Sequence, residues 1–212
     1  MCEPVERWRK AKPTAAGRPP LLVLLHGRGA DESDLFELGP AIDPRFAIAS
    51  VRAPIAMNEG GYTWSESYSP GRYRAESLRA SVTWIQSWLD MLKGGRDEPQ
   101  PVYLLGFSAG MAMAAALLLD QPARYRGAVL LSGTLPFDAD LSMTKNRLAG
   151  ANVFYAHGSF NRVIPADLLS RSEKYLREAS GARLTARRYP IAHEVSLAEL
   201  QDINVWLAKM GA

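Results

Sequence analysis

The sequence holds one cysteine, three histidines and no run of Leu, Ile and Val longer than the five residues of "LLVLL" at 21–25. A single cysteine, Cys2, cannot close an internal disulfide, and nothing around it marks a nucleophile. Five aliphatic residues fall far short of the ~20 that span a bilayer. They also make a poor signal-peptide core, because "VERWRKAKPTAAGRPP" before them has no cleavage pattern after an apolar stretch. A cytoplasmic, reducing setting with no membrane span is the expectation. Charge of one sign is scarce as well. There are 25 Lys and Arg against 22 Asp and Glu, a net +3. The basic residues are scattered through "RWRKAK", "GRYR", "ARYR" and "TARRY". A nucleic-acid face needs a dense basic stripe, so no nucleic-acid partner is expected.

What is present is an ordinary globular composition, 47% apolar and 22% charged over 212 residues. That predicts one domain over 1–212, with 1–19 as an entry segment. There is no internal repeat or long linker. "KPTAAGRPP" (12–20) and "KGGRDEPQP" (93–101) are turn-rich connectors. Short apolar runs alternate with helix-length segments. The candidate strands are Pro20–His26, Phe46–Arg52, Val102–Gly106, Ala128–Ser132, Asn152–Ala156 and Arg183–Tyr189. Several are apolar without alternation, as strands buried on both faces are. Helices are expected over Tyr73–Lys93, Ser108–Asp120, Ala166–Ser180 and Ser196–Met210. The first places Leu78, Val82, Ile85, Leu89 and Leu92 on one face. The last opens on a Ser–x–x–Glu capping box, Ser196 to Glu199. Alternating βα units predict an α/β fold with a mostly parallel, doubly wound sheet and helices on both faces. Ligands of such sheets bind at the carboxyl ends of the strands.

Four stretches carry chemistry. "GFSAG" (106–110) is a G-x-S-x-G elbow between a strand and a helix, which lifts Ser108 above the sheet edge as a nucleophile. "LLHGRGADESDL" (24–35) ends a strand in His26-Gly27-Arg28-Gly29. The backbone N–H groups of Arg28 and Ala109 are the candidate oxyanion donors. His193, in "RRYPIAHEVS", lies past the last strand, where a general base for Ser108 belongs in the order Ser, acid, His. His26 and His157 both precede glycine at strand ends, where packing or loop hydrogen bonding is the simpler role. The acid should follow a strand between Ser108 and His193. The segment "NVFYAHGSFNRVIP" (152–165) fits, but it holds Asn161 and no carboxylate.

Together these residues resemble the α/β-hydrolase fold. More narrowly, they resemble the phospholipase/carboxylesterase family of acyl-protein thioesterases and small bacterial carboxylesterases. The resemblance runs from about Pro20 to Met210. It rests on the "HGRG" segment, the "GFSAG" elbow, "LLSG" (130–133), "HGSFNRVIP" in place of an acid loop with aspartate, and "YPIAHEVS" as the base loop. It implies hydrolysis of carboxylic esters or thioesters by a catalytic set of Ser108, His193 and the residue at the acid position, with neither metal nor organic cofactor. Ile191 and Ala192 stand where the family often has a glycine.

Three accounts of Asn161 are open. The position was altered from aspartate, the amide is a native triad variant, or another carboxylate serves. For the last, Asp138 and Asp140 are the candidates, and the adjacent Glu194 would normally point elsewhere. An amide can accept a bond from His193 but cannot stabilise imidazolium, and its NH2 can select the wrong tautomer. No insertion is long enough for a cap domain, so an open pocket for a small-molecule ester is expected. Its wall is placed in "EGGYTWSESYSPGRY" (59–73), with Tyr62, Trp64 and Tyr68, and with Phe107, Met111 and Leu135 near the elbow. Trp64 is favoured because family members place an aromatic in this loop. A non-catalytic binder on the same fold, an acyltransferase using the same residues, and a homodimer are left open.

Overall fold

The computed structural model describes residues 4–12, 18–93 and 101–210. Cys2, most of the "KPTAAGRPP" connector and most of "KGGRDEPQP" lie outside them. In chain order the elements are β1 (Glu6–Arg9), β2 (Leu21–Leu25), β3 (Ala47–Val51), β4 (Ile55–Ala56), β5 (Tyr62–Thr63), β6 (Ser67–Ser69), β7 (Arg72–Tyr73) and α1 (Ala75–Lys93). β8 (Val102–Phe107), α2 (Ala109–Asp120), β9 (Gly127–Leu131), β10 (Asn152–Gly158), α3 (Ala166–Glu178), β11 (Arg183–Tyr189) and α4 (Leu197–Met210) follow.

The main sheet has the order β1-β3-β2-β8-β9-β10-β11, all parallel except for β1, which runs antiparallel to β3. Every residue of β2, β3 and β9 is buried, which explains their unbroken apolar runs. Helices cover both faces. On one, α1 and α2 pack against Leu21, Val23, Leu104 and Leu130, with Leu176 of α3 in the same cluster. On the other, α4 and a short 3-10 helix at Leu35–Ala41 cover Leu22, Leu24, Val129 and Phe154. Each such side chain contributes roughly 1.5–3 kcal/mol on burial. α2 is buried from Gly110 to Leu119, and only a helix apolar all round tolerates that position. Among the described residues no inserted domain rises over the sheet: 55–73 forms two small hairpins, β4–β5 and β6–β7. Among the described residues no helix is long and apolar enough to cross a membrane.

Two features go beyond what the sequence showed. The entry segment contains an edge strand, β1, held where Arg9 donates to the carbonyls of Gly39, Ile42, Asp43 and Phe46. The capping box at α4 is only half formed. Glu199 N–H donates to Ser196 Oγ at 3.1 Å. The Glu199 carboxylate is buried, and neither oxygen has a hydrogen-bond partner among the described residues. Burial pushes this acid up to about 7.

Candidate active site

Strand order reverses direction between β2 and β8, so the carboxyl ends of these two neighbours form the switch point of the sheet. β8 passes into α2 through one residue, Ser108, with φ 56° and ψ −116°. A residue with a Cβ is strained there. The surroundings enforce the turn: Ser108 N–H donates to Leu131 O at 2.9 Å, and Met111 N–H donates to Ser108 O at 3.0 Å. Glycine is required on both sides. A Cβ on Gly106 would fall on the Gly110 carbonyl, and a Cβ on Gly110 would fall on the Leu25 carbonyl at the end of β2.

His193, beyond β11, brings Nε2 to 3.0 Å from Ser108 Oγ. Its half-buried ring packs on Phe107, with centroids 4.9 Å apart. Burial lowers its pKa below the ordinary 6.5, and no carboxylate raises it. Asn161 follows β10. Its loop is tied to the His193 loop where Ser159 N–H donates to Tyr189 O at 2.7 Å and Phe160 N–H to Ile191 O at 3.0 Å. Asn161 Nδ2 lies 3.0 Å from His193 Nδ1. Its Oδ1 accepts Val163 N–H at 3.0 Å and Ile164 N–H at 3.3 Å. Those two donors decide which end of the amide faces His193. Rotating it would set NH2 against two N–H groups and leave both unpaired. An NH2 facing Nδ1 needs that nitrogen unprotonated. The neutral imidazole therefore carries its proton on Nε2 and presents it to Ser108 Oγ.

Among the described residues no carboxylate reaches His193. Asp138 pairs with Arg72 at 3.4 Å, Asp140 reaches Arg79 at 4.0 Å, and both are exposed. Glu194 is exposed as well. His26 is neutral and structural. Ala53 N–H donates to its Nε2 at 3.0 Å, so Nδ1 carries the proton and meets Gly27 O at 2.7 Å. Burial lowers its pKa in agreement. His157 is buried with Nδ1 3.1 Å from Gly158 O.

Among the described residues two backbone N–H groups are left free at the cleft. Ala109 is the first residue of α2, so its N–H has no earlier turn to bond. In the loop after β2, Tyr62 O takes Gly29 N–H at 2.9 Å and Gly27 O takes Ala30 N–H at 3.4 Å. Arg28 N–H is left without a backbone acceptor among the described residues, and Arg28 and Ala109 both line the cleft above Ser108. Among the described residues no group of three His, Cys, Asp or Glu side chains converges to hold a metal ion.

A family model described as phospholipase/carboxylesterase matches residues 13–211. The chain belongs to the phospholipase/carboxylesterase family and is a hydrolase of the carboxylesterase and thioesterase type. MhqD of Bacillus subtilis, which carries the name of a hydrolase, is 26% identical over 88% of this chain and 91% of its own. Acyl-protein thioesterase 1 of Kluyveromyces lactis is 28% identical over 89% and 91%. The crystal structure of the Bacillus cereus carboxylesterase shares the fold at a TM-score of 0.84 and 24% identity, covering 98% of this chain and 94% of that one.

In this member of the family the cleft measures about 590 Å³ and is lined by Arg28, Ser108, Ala109 and His193, by Met57, by Tyr68 and its neighbours to Gly71, and by Tyr73, Val163 and Ile164. The expected segment therefore forms a wall, with Tyr68 in it as expected but without Tyr62 or Trp64. Trp64 is fully buried and donates its indole N–H to His26 O at 2.8 Å, bracing the strand end beneath the loop after β2. Tyr62 supports the same loop: its backbone bridges Ala30, and its hydroxyl accepts from Arg52 at 3.1 Å. Met111 and Leu135 are core residues. Phe107 backs His193 rather than facing the cleft. Tyr73 was read as the start of a helix but belongs to β7. The Pro70-Gly71 turn beside it was the available signal.

Proposed function

We propose that this chain is a serine hydrolase of carboxylic esters, with thioesters and lysophospholipids open to the same chemistry. The observation that carries the reading is the 3.0 Å approach of His193 Nε2 to Ser108 Oγ at a strained elbow on the cleft floor. Ser108 Oγ attacks the acyl carbon as its proton passes to His193 Nε2. The Arg28 and Ala109 N–H groups hold the oxyanion. His193 returns the proton to the departing alcohol, leaving an acyl group on Ser108, and water activated by the same base releases the acid. One cysteine in the whole chain suits a reducing, cytoplasmic setting.

Asn161 sets the rate. The tautomer it holds points Nε2–H at Ser108, so attack must wait for the less populated tautomer. No charge then stabilises the imidazolium. Such an enzyme is slow rather than inert, because the elbow and oxyanion donors are intact. Labelling with a fluorophosphonate, followed by mass spectrometry, tests the nucleophile. If Ser108 stays unlabelled in the Asn161→Asp protein, the assignment is wrong.

The same amide favours a second reading, a binder that has kept the cleft and given up turnover. Ester hydrolysis that stays at background after Asn161→Asp would support it.

A further inference from the structure

Many arginines in this protein face a carboxylate. Arg52 holds Glu32 at 2.5 and 2.7 Å, and Arg72, Arg74 and Arg124 each pair with an acid. Arg28 is different. It is exposed, it lines the cleft, and no ion pair or hydrogen bond engages its guanidinium among the described residues. The two nearest carboxylates in sequence are occupied elsewhere. Asp31 accepts Ser33 N–H at 2.8 Å, and Glu32 belongs to Arg52. No Asp or Glu lines the cleft. The amino terminus of α2 opens into the same space at Ala109 and adds positive potential.

An unpaired guanidinium beside hydroxyls is suited to carboxylate or phosphate, which it can meet with two parallel N–H bonds. Its tether is also informative. The residue whose N–H faces the oxyanion carries this side chain, so the anion it meets lies within one arginine's length of the scissile carbonyl.

Resting on the acyl-transfer reading above, we propose that Arg28 selects esters carrying a carboxylate or phosphate a few bonds from the scissile carbonyl. The backbone of Arg28 serves the oxyanion, and its side chain sets specificity.

The test compares charged and neutral partners within each protein, so that effects of a substitution on the shared chemistry cancel. On the acyl side the pair is 4-nitrophenyl hydrogen glutarate and 4-nitrophenyl pentanoate, corrected for uncatalysed loss. On the alcohol side it is butyryl glycerol 3-phosphate and monobutyrin. The unreactive amides glutaramate and pentanamide, titrated calorimetrically, report binding without turnover. Arg28, Arg28→Gln and Arg28→Lys proteins are compared, each also carrying Asn161→Asp for the kinetic arms. The charged partner is expected to be preferred about tenfold in kcat/KM in one arm. That preference should shrink as salt rises, fall to near parity in Arg28→Gln, and return in part in Arg28→Lys. The arm that responds names the side of the ester that bears the anion. An equal preference in Arg28 and Arg28→Gln proteins, or none in either arm, overturns the inference while leaving ester hydrolysis at Ser108 intact. A glutaramate preference that depends on Arg28 in a chain that hydrolyses nothing sustains the anion site and removes the hydrolase reading.

Discussion

The sharpest prediction concerns Asn161→Asp. In the amide form Nδ2 donates to His193 Nδ1, while Oδ1 accepts from Val163 and Ile164. A carboxylate reverses the first bond. One oxygen keeps the two backbone N–H groups, and the other accepts a proton from Nδ1. That places the imidazole lone pair on Nε2, facing Ser108 Oγ 3.0 Å away. The new charge also stabilises the imidazolium formed during attack. In a serine-protease triad the opposite change, aspartate to asparagine, lowers turnover about 10⁴-fold. At 1.36 kcal/mol per decade this is roughly 5 kcal/mol of barrier. Turnover of 4-nitrophenyl acetate should therefore rise about 10³- to 10⁴-fold, with KM changing little, since the cleft walls are untouched.

The pH profile supplies an independent reading of the same step. The base works only when unprotonated. In the amide form burial holds the His193 pKa below 6.5 and no carboxylate raises it, so kcat/KM should already be flat above that pH. A carboxylate at Nδ1 favours the protonated ring and raises the pKa. The rising limb should move to higher pH in Asn161→Asp. A gain under tenfold together with an unmoved limb would refute the tautomer argument and the placing of Asn161 at the triad's third position.

Other substitutions probe what holds the site. Trp64→Ala removes a fully buried ring and its bond to His26 O; unfolding in urea should show a loss of about 3–5 kcal/mol, and retained stability would mean the ring is dispensable. Gly110→Ala drives a Cβ into the Leu25 carbonyl, so the elbow must shift, and fluorophosphonate labelling of Ser108 should fall well before the melting temperature explains it. Glu199 offers a stability test. Its folded pKa is raised from 4.5 to about 7, so its contribution is most favourable below pH 4.5 and is lost as pH rises through 7, by up to about 3 kcal/mol. Glu199→Gln should remove that slope, raising the melting temperature relative to the parent at pH 8 and not at pH 4.5.

The parallel strands were legible because burial on both faces leaves no polar alternation to misread, as in "LLVLL" and "VYLLGF". β1 was not, since "ERWR" is charged and owes its place to Arg9 reaching carbonyls more than thirty residues away. β4 to β7 span two or three residues each, too few to show a period. The elbow was legible because its two glycines are demanded by backbone collisions, a local matter. The cleft wall was legible only as a segment. Adjacent residues of a short hairpin face opposite ways, and no pattern told that Trp64 would turn inward to His26 while Tyr68 stayed at the rim, 73% exposed.

The amide is the case where identity was legible and consequence was not. Asn161 can be read from the chain, but which end of it meets His193 is decided by two backbone donors, Val163 N–H and Ile164 N–H. Two N–H groups converging on one side-chain oxygen are the solvation a carboxylate needs when its second oxygen is committed to a histidine. An amide uses that arrangement too, but only by turning its NH2 toward the base. The same feature thus makes the native tautomer unfavourable for attack and leaves room for aspartate with no rearrangement of the loop. It follows that the loss in Asn161 should be almost wholly electrostatic. A shape defect would resist repair by one substitution, whereas a reversed hydrogen bond should not.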